Sequence, residues 1–238
     1  GIRDQPRSRG LGDVYKRQLV SFPLVKPKAV IFDVGGVLLE SPFLAALRWA
    51  DDWGIPLDAL RKIFGEYSRT VASGQEPPMW HEVECGRVEL SEFVTQMHLT
   101  LGTELPPGHK ARTLTAEDFN PFANGEPVAV MIELSDEIRA QGLKTGILTN
   151  NVREWSHWRE KIPVNSFDVV IDSCEVGMRK PDPEIYLLTC ESLHVTANDC
   201  LFLDDHPSNI EAALAVGLDA VLVTDDFDAA AFEVRARL

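Results

Sequence analysis

Short apolar runs rich in β-branched residues recur along the chain, and each stops on polar residues. Lys28-Ala-Val-Ile-Phe-Asp33 meets Gly35-Gly36, and Leu143 to Thr149 stops at Asn150-Asn151. Phe167 to Ile171 stops at Asp172-Ser173, and Cys200 to Leu203 stops at Asp204-Asp205. Runs this short, bounded by turn residues, predict buried strands. Helical spacing fills the intervals, over roughly 127–141, 152–160, 183–193 and 207–216. A last strand, Ala220 to Val223, precedes a helix near 227–237. Strands alternating with helices predict an α/β fold with a parallel sheet covered on both faces.

Residues 42–121 break this alternation. Pro42 to Trp53, Leu57 to Ala72 and Leu90 to Leu101 read as helices, separated by Pro77-Pro78 and Pro106-Pro107-Gly108. The expectation is an inserted helical cap domain over 42–121, with a core domain made of 19–41 and 122–238. Residues 1–18 are set aside as a basic tail, or as adapter sequence translated ahead of the domain. They are Gly- and Arg-rich, with no apolar periodicity to bury.

Charge narrows the choice of partners. The 238 residues hold 23 Lys plus Arg and 37 Asp plus Glu, a net charge of −14. The first 28 residues carry seven basic and two acidic side chains, so the rest carries 16 basic and 35 acidic, a net of −19. A body this acidic repels a phosphate backbone, which disfavours nucleic acid as a partner. No apolar run approaches the roughly 20 residues that cross a bilayer, so no membrane partner is expected. Cys85, Cys174, Cys190 and Cys200 show no metal-binding spacing and read as buried free thiols of a cytoplasmic protein.

The chemistry gathers where strands end. In open α/β sheets, ligands bind beyond the carboxyl ends of the strands, so Asp33, Thr149-Asn150 and Asp204-Asp205 are expected to converge. Three carboxylates at one sheet edge repel one another unless a cation compensates, and hard oxygen donors suit Mg²⁺. Lys180, in Gly177-Met-Arg-Lys-Pro-Asp-Pro183, is placed to neutralise an aspartate and a bound phosphate. Thr149 and Asn150 offer a hydroxyl, an amide and main-chain N–H groups to phosphoryl oxygens. Nucleophile, metal, phosphate clamp and neutraliser together suit phosphoryl transfer through an aspartyl-phosphate.

These motifs resemble, in order, the four of the haloacid dehalogenase superfamily. They are Phe32-Asp-Val-Gly-Gly-Val-Leu38, Leu148-Thr-Asn150, Lys180-Pro-Asp-Pro183 and Phe202-Leu-Asp-Asp205. The phrases from Asp168 to Gly177 and from Leu203 to Asn209 are similar to the phosphatase-like N-terminal domain of soluble epoxide hydrolases and to a domain of a multidomain acyl-CoA dehydrogenase. The resemblance implies a Rossmann-like doubly wound parallel sheet with a helical cap inserted after the first motif. It implies that Asp33 attacks phosphorus and that Asp33, the Gly35 carbonyl and Asp204 hold Mg²⁺, with Asp205 close by. Thr149, Asn150 and Lys180 would bind the phosphoryl group. Asn209 would tie down the loop after the fourth strand, or cap the following helix.

One position departs from the family. Most of its phosphatases carry a second Asp two residues after the nucleophile, which protonates the leaving oxygen; here Gly35 stands there. General acid–base help is worth about 10²–10⁴-fold. His206 is a candidate replacement, or a loop imidazole facing water. Trp80 and Arg87 are candidates to face substrate from the cap, with packing between cap helices as the other reading of Trp80. The expected function is a Mg²⁺-dependent phosphatase of a small phosphorylated metabolite. A non-catalytic phosphoryl-binding module and a 2-haloacid dehalogenase are the alternatives; Gly35 and the Asp204-Asp205 pair argue against the dehalogenase.

Overall fold

The computed structural model describes residues 26–64, 71, 75–119 and 125–238. The tail 1–18, the end of the helix expected to reach Ala72, and the re-entry expected near 122 therefore lie wholly or partly outside the described residues.

Five strands form one parallel sheet: β1 (Ala29–Phe32), β2 (Lys144–Thr149), β3 (Val169–Asp172), β4 (Cys200–Asp204) and β5 (Asp219–Leu222), in the order β3-β2-β1-β4-β5. Its edges run away from β1 in both directions, the doubly wound arrangement expected. Side chains alternate across a strand, and β1 feeds both faces. Val30 and Phe32 pack on one side with residues of α5 (Ala129–Ala140) and α10 (Phe227–Arg235). Ala29 and Ile31 pack on the other, against α8 (Pro183–Ser192) and α9 (Pro207–Ala215).

Register brings the strand ends level. Phe32 pairs with Ile147 of β2 and Leu203 of β4, so Asp33 leaves the sheet beside Asp204. Thr149 pairs with Asp172 on the other flank.

Between β1 and α5 lie α1 (Pro42–Trp53), α2 (Leu57–Phe64), α3 (Met79–Glu84) and α4 (Leu90–Glu104). Their apolar faces meet in a second cluster around Trp80, Phe93 and Phe119, separate from those flanking the sheet. The two chain crossings into this insert lie side by side: Val128 N donates to Leu38 O at 2.9 Å and Glu40 N to Glu126 O at 3.0 Å.

Two local expectations need correction. The helix expected over 152–160 is only the turn α6 (Trp158–Lys161), because Val152 and Trp155 turn towards the insert and join its apolar cluster. Helix α3 was not foreseen; neither was the turn α7 (Ser173–Val176) that receives it. All four cysteines are buried and unbridged, as expected. Among the described residues, no helix is long and apolar enough to cross a membrane.

Candidate active site

Asp33 is the first residue beyond β1, and its main-chain N–H still pairs with Leu203 O at 2.9 Å. Its Oδ1 accepts from Val34 N at 2.7 Å, which fixes the carboxylate against the turn. Lys180 Nζ lies 2.9 Å from Asp33 Oδ1 and 2.6 Å from Asp204 Oδ2. The lysine is 1% exposed, so a full positive charge is buried between two carboxylates. Burial works against that charge, but Asp204 and Asp33 outweigh it and hold the ammonium above its ordinary pKa.

Asp204 is held in place by several donors. His206 N donates to its Oδ1 at 2.8 Å, and Asn209 Nδ2 reaches both oxygens, at 3.0 and 3.1 Å. Asn209 thus ties α9 back to the end of β4. It does not cap that helix, whose N-cap residue is His206.

Asp33, Asp204 and Asp205 present carboxylate oxygens within 4.8 Å of one another. Burial lifts the Asp33 carboxyl well above its usual range, against the attraction of Lys180, and the charges of Asp204 and Asp205 add to the rise. Burial and Asp204 likewise push Asp205 up to about 6. One lysine is too little positive charge for three acids. A hard dication is the complement this donor set calls for, and the residues present fit Mg²⁺. Gly36 makes the crowding possible: its φ is 73°, and a Cβ there would lie 2.1 Å from Asp205 Oδ2. Gly35 is outside the left-handed region that Gly36 occupies, so its lack of a side chain is not required by its backbone.

On the other flank, Asn150 spends its side chain on the main chain of Lys180. Its Nδ2 donates to Lys180 O at 2.9 Å and its Oδ1 accepts from Lys180 N at 2.8 Å. What remains for an oxyanion is its own N–H and the second amide hydrogen. Thr149 is buried at the end of β2 and lines the same cavity.

That cavity, about 770 Å³, begins at Asp33, Thr149, Asn150 and Lys180 and runs up under the insert. Beyond the polar floor its wall is mostly apolar and aromatic, with Leu47, Leu60, Phe64, Trp80, Phe119 and Trp155 among the lining residues. Phe43, 65% exposed, and Leu57, 46% exposed, also line it and stand towards solvent.

The family model for haloacid dehalogenase-like hydrolases matches residues 27–217. The chain belongs to that family. This haloacid dehalogenase-like hydrolase is 33% identical over 203 residues to a phosphatase of Mycobacterium tuberculosis, covering 82% of this chain and 86% of that one. It is 31% identical over 202 residues to acyl-CoA dehydrogenase family member 10 of Mus musculus, and 26% identical over 212 residues to bifunctional epoxide hydrolase 2 of Rattus norvegicus. It spans only 18% and 36% of those two longer proteins. Among solved structures, a family enzyme of Bacteroides thetaiotaomicron in complex with magnesium and inorganic phosphate superposes with a TM-score of 0.63. It shares 18% identity, over 85% of this chain and 98% of that one, a likeness of fold.

The structure brings Asp33, Gly35, Thr149, Asn150, Lys180, Asp205 and His206 to one cavity, with Asp204 buried beneath it. His206 is half-buried there, its Nδ1 2.8 Å from Ser208 Oγ, and burial lowers its pKa against the pull of Asp204. Trp80 both packs and lines: its ring is 4.9 Å from Phe93 and 5.6 Å from Trp155, and it forms part of the cavity wall. Arg87 is a correction. It forks onto Glu82 at 2.7 and 2.9 Å, donates to Gly177 O at 2.7 Å, and is not among the lining residues. Glu84 and Arg179 were missed altogether. They are buried and form an ion pair at 2.7 Å, with Glu84 on the cavity wall.

Proposed function

We propose that this haloacid dehalogenase-like hydrolase is a Mg²⁺-dependent phosphomonoesterase whose substrate joins a phosphate to a compact apolar body. One observation carries the reading: a buried carboxylate–lysine cluster forms the floor of a cavity whose upper wall is apolar. The floor suits a phosphoryl group, and the wall suits what the phosphate is attached to. The phosphatase relative supports the reaction class.

In this reading Asp33 attacks phosphorus as the ester P–O bond breaks, forming an aspartyl-phosphate and releasing the alcohol. Water then attacks phosphorus and regenerates the Asp33 carboxylate with inorganic phosphate. Lys180 draws on the phosphoryl oxygens while shielding Asp33 from Asp204. Thr149 donates its hydroxyl, and Asn150 its main-chain N–H. Asn209 and His206 N hold Asp204 in place. Mg²⁺, held by Asp33, the Gly35 carbonyl, Asp204 and Asp205, would supply charge neutralisation for nucleophile and phosphoryl group. We read residues 42–121 as a cap that excludes bulk water from the cavity. Without a side chain at Gly35, the leaving oxygen departs unassisted unless His206 supplies the proton.

The test is a panel of phosphomonoesters with apolar and polar bodies of matched size, assayed with Mg²⁺ and with chelator. Mg²⁺-dependent phosphate release, faster for apolar bodies, is expected. Binding of phosphate and Mg²⁺ with no turnover across the panel would refute the catalytic reading in favour of a phosphoryl-binding module.

A further inference from the structure

Helix α3 meets the core at a tightly seated corner. Ser173 Oγ donates to Glu84 O at 2.6 Å, and Arg87 Nη1 donates to Gly177 O at 2.7 Å. Arg153 Nη2 donates to Gly86 O at 3.1 Å. Gly86 has φ 65°, and a Cβ there would sit 2.4 Å from the carbonyl oxygen of Cys174, so only glycine lets the backbones come this close. Into this corner Glu84 sends its side chain, 3% exposed, to Arg179, 6% exposed, across 95 positions of sequence.

Arg179 directly precedes Lys180, whose main chain is clamped by the Asn150 side chain. Arg179 O also accepts from Asp182 N at 2.9 Å, closing the turn that carries the lysine. The segment is therefore held at two points, one from the core and one from the insert. A buried ion pair is an uneconomical way to gain stability, since a hydrophobic pair of similar volume often does as well or better. Its directional, charge-assisted hydrogen bond is better suited to fixing where a chain segment lies.

We propose that Glu84, acting through Arg179, is a positioning residue for Lys180: seating the insert on the core aims the ammonium between Asp33 and Asp204. Glu84 lines the cavity that Lys180 floors, so whatever fills the cavity meets both ends of the link. The inference rests on Lys180 serving the phosphoryl site as proposed above, but its placement is measurable without turnover.

The discriminating variant is Glu84→Met with Arg179→Met, which removes the link without leaving an unpaired buried charge. Three quantities are read: melting temperature, kcat and KM on the best ester of the panel, and the rate at which an amine-selective N-hydroxysuccinimide ester acylates Lys180, by peptide mass spectrometry. Lys144, tied to Leu193 O at the opposite end of β2 from Thr149, serves as the internal control. The expected result is a melting temperature within a few degrees of wild type, kcat down at least tenfold and KM within about threefold. Lys180 acylation should rise at least fivefold while Lys144 is unchanged. Wild-type kcat and wild-type Lys180 acylation in this variant would overturn the proposal and leave the pair a purely structural contact. Should the double variant fail to fold, Glu84→Gln with Arg179→Met keeps a polar side chain on the cavity wall while still removing the link; unchanged Lys180 acylation in it also overturns the proposal. Should wild type hydrolyse nothing, the acylation ratio still decides the positioning inference, separately from the phosphatase reading.

Discussion

Asp205 gives the electrostatics of the site their sharpest test. In metal-free protein its carboxyl stands at about 6 instead of 3.8, lifted by burial and by Asp204. A group that holds its proton more tightly when folded favours the native state fully below the unfolded pKa. That contribution is lost as pH rises through about 6. At about 1.36 kcal/mol for each tenfold change in proton affinity, a rise from 3.8 to about 6 is worth roughly 3 kcal/mol, an upper figure because Asp205 keeps part of its surface in water. Asp205→Asn deletes the titration while keeping the shape that packs over Gly36. Urea denaturation of chelator-stripped protein at pH 4 to 8 should find the two proteins alike at pH 4. At pH 8 the variant should be more stable by about 1–3 kcal/mol. Relief of Asp33, which also feels Asp205, adds to the gap with the same sign. Millimolar Mg²⁺ should then shrink or invert it, because a cation favours the ionised form. Parallel pH profiles for the two metal-free proteins would show that Asp205 carries no such strain.

Asp33→Asn should abolish phosphate release while leaving the melting temperature equal to or above that of wild type, since it removes one buried negative charge; activity within about tenfold would sink the covalent mechanism. Wild type should turn over aryl phosphates much faster than alkyl phosphates of matched size, and Gly35→Asp, at a backbone position free of left-handed strain, should flatten that difference. A flat dependence already in wild type would point to another acid, with His206→Ala the next measurement. Deleting residues 1–18 should change neither melting temperature nor turnover; a fall of several degrees would mean that the segment docks on the acidic body.

The sheet was legible because its signal is local. The apolar run Ala29-Val-Ile-Phe32 and the polar stop at Asp33 lie within five residues, and the same grammar marks β2, β3 and β4. Parallel pairing then levels the stops, so Asp33 and Asp204 could be placed together before any coordinates. What stayed hidden depends on partners far along the chain. Nothing in Trp80-His-Glu-Val-Glu84 says that its last carboxylate is buried, because the guanidinium that permits burial is Arg179. Arg87 is taken up by Glu82, five positions away, a spacing that does not pair side chains on a regular helix; the chain turns at Gly86 and brings them together. Val152 and Trp155 mimicked helical periodicity while answering to the insert's aromatic cluster. The sequence showed which polar groups gather at the strand ends, and the cavity wall above them emerged only from the packing of α1–α4.

The strand order has a consequence for how the protein is made. Of the five described strands β1 is made first, yet it takes the centre of the sheet, and its neighbours begin only at Lys144 and Cys200. Asp33 and Asp204 are separated by 171 positions, about 10–30 s of synthesis at ~5–20 residues per second. Until β2 is made that apolar strand has both hydrogen-bonding edges open, and one stays open until β4 follows, a template for pairing with the wrong chain. The insert, built from helices near one another in sequence, can condense meanwhile, as local contacts form fastest. The order of synthesis therefore favours the insert first: the carboxylate cluster is complete only once Asp204 has been added, and a chaperone that shelters β1 until then should raise the yield of native protein.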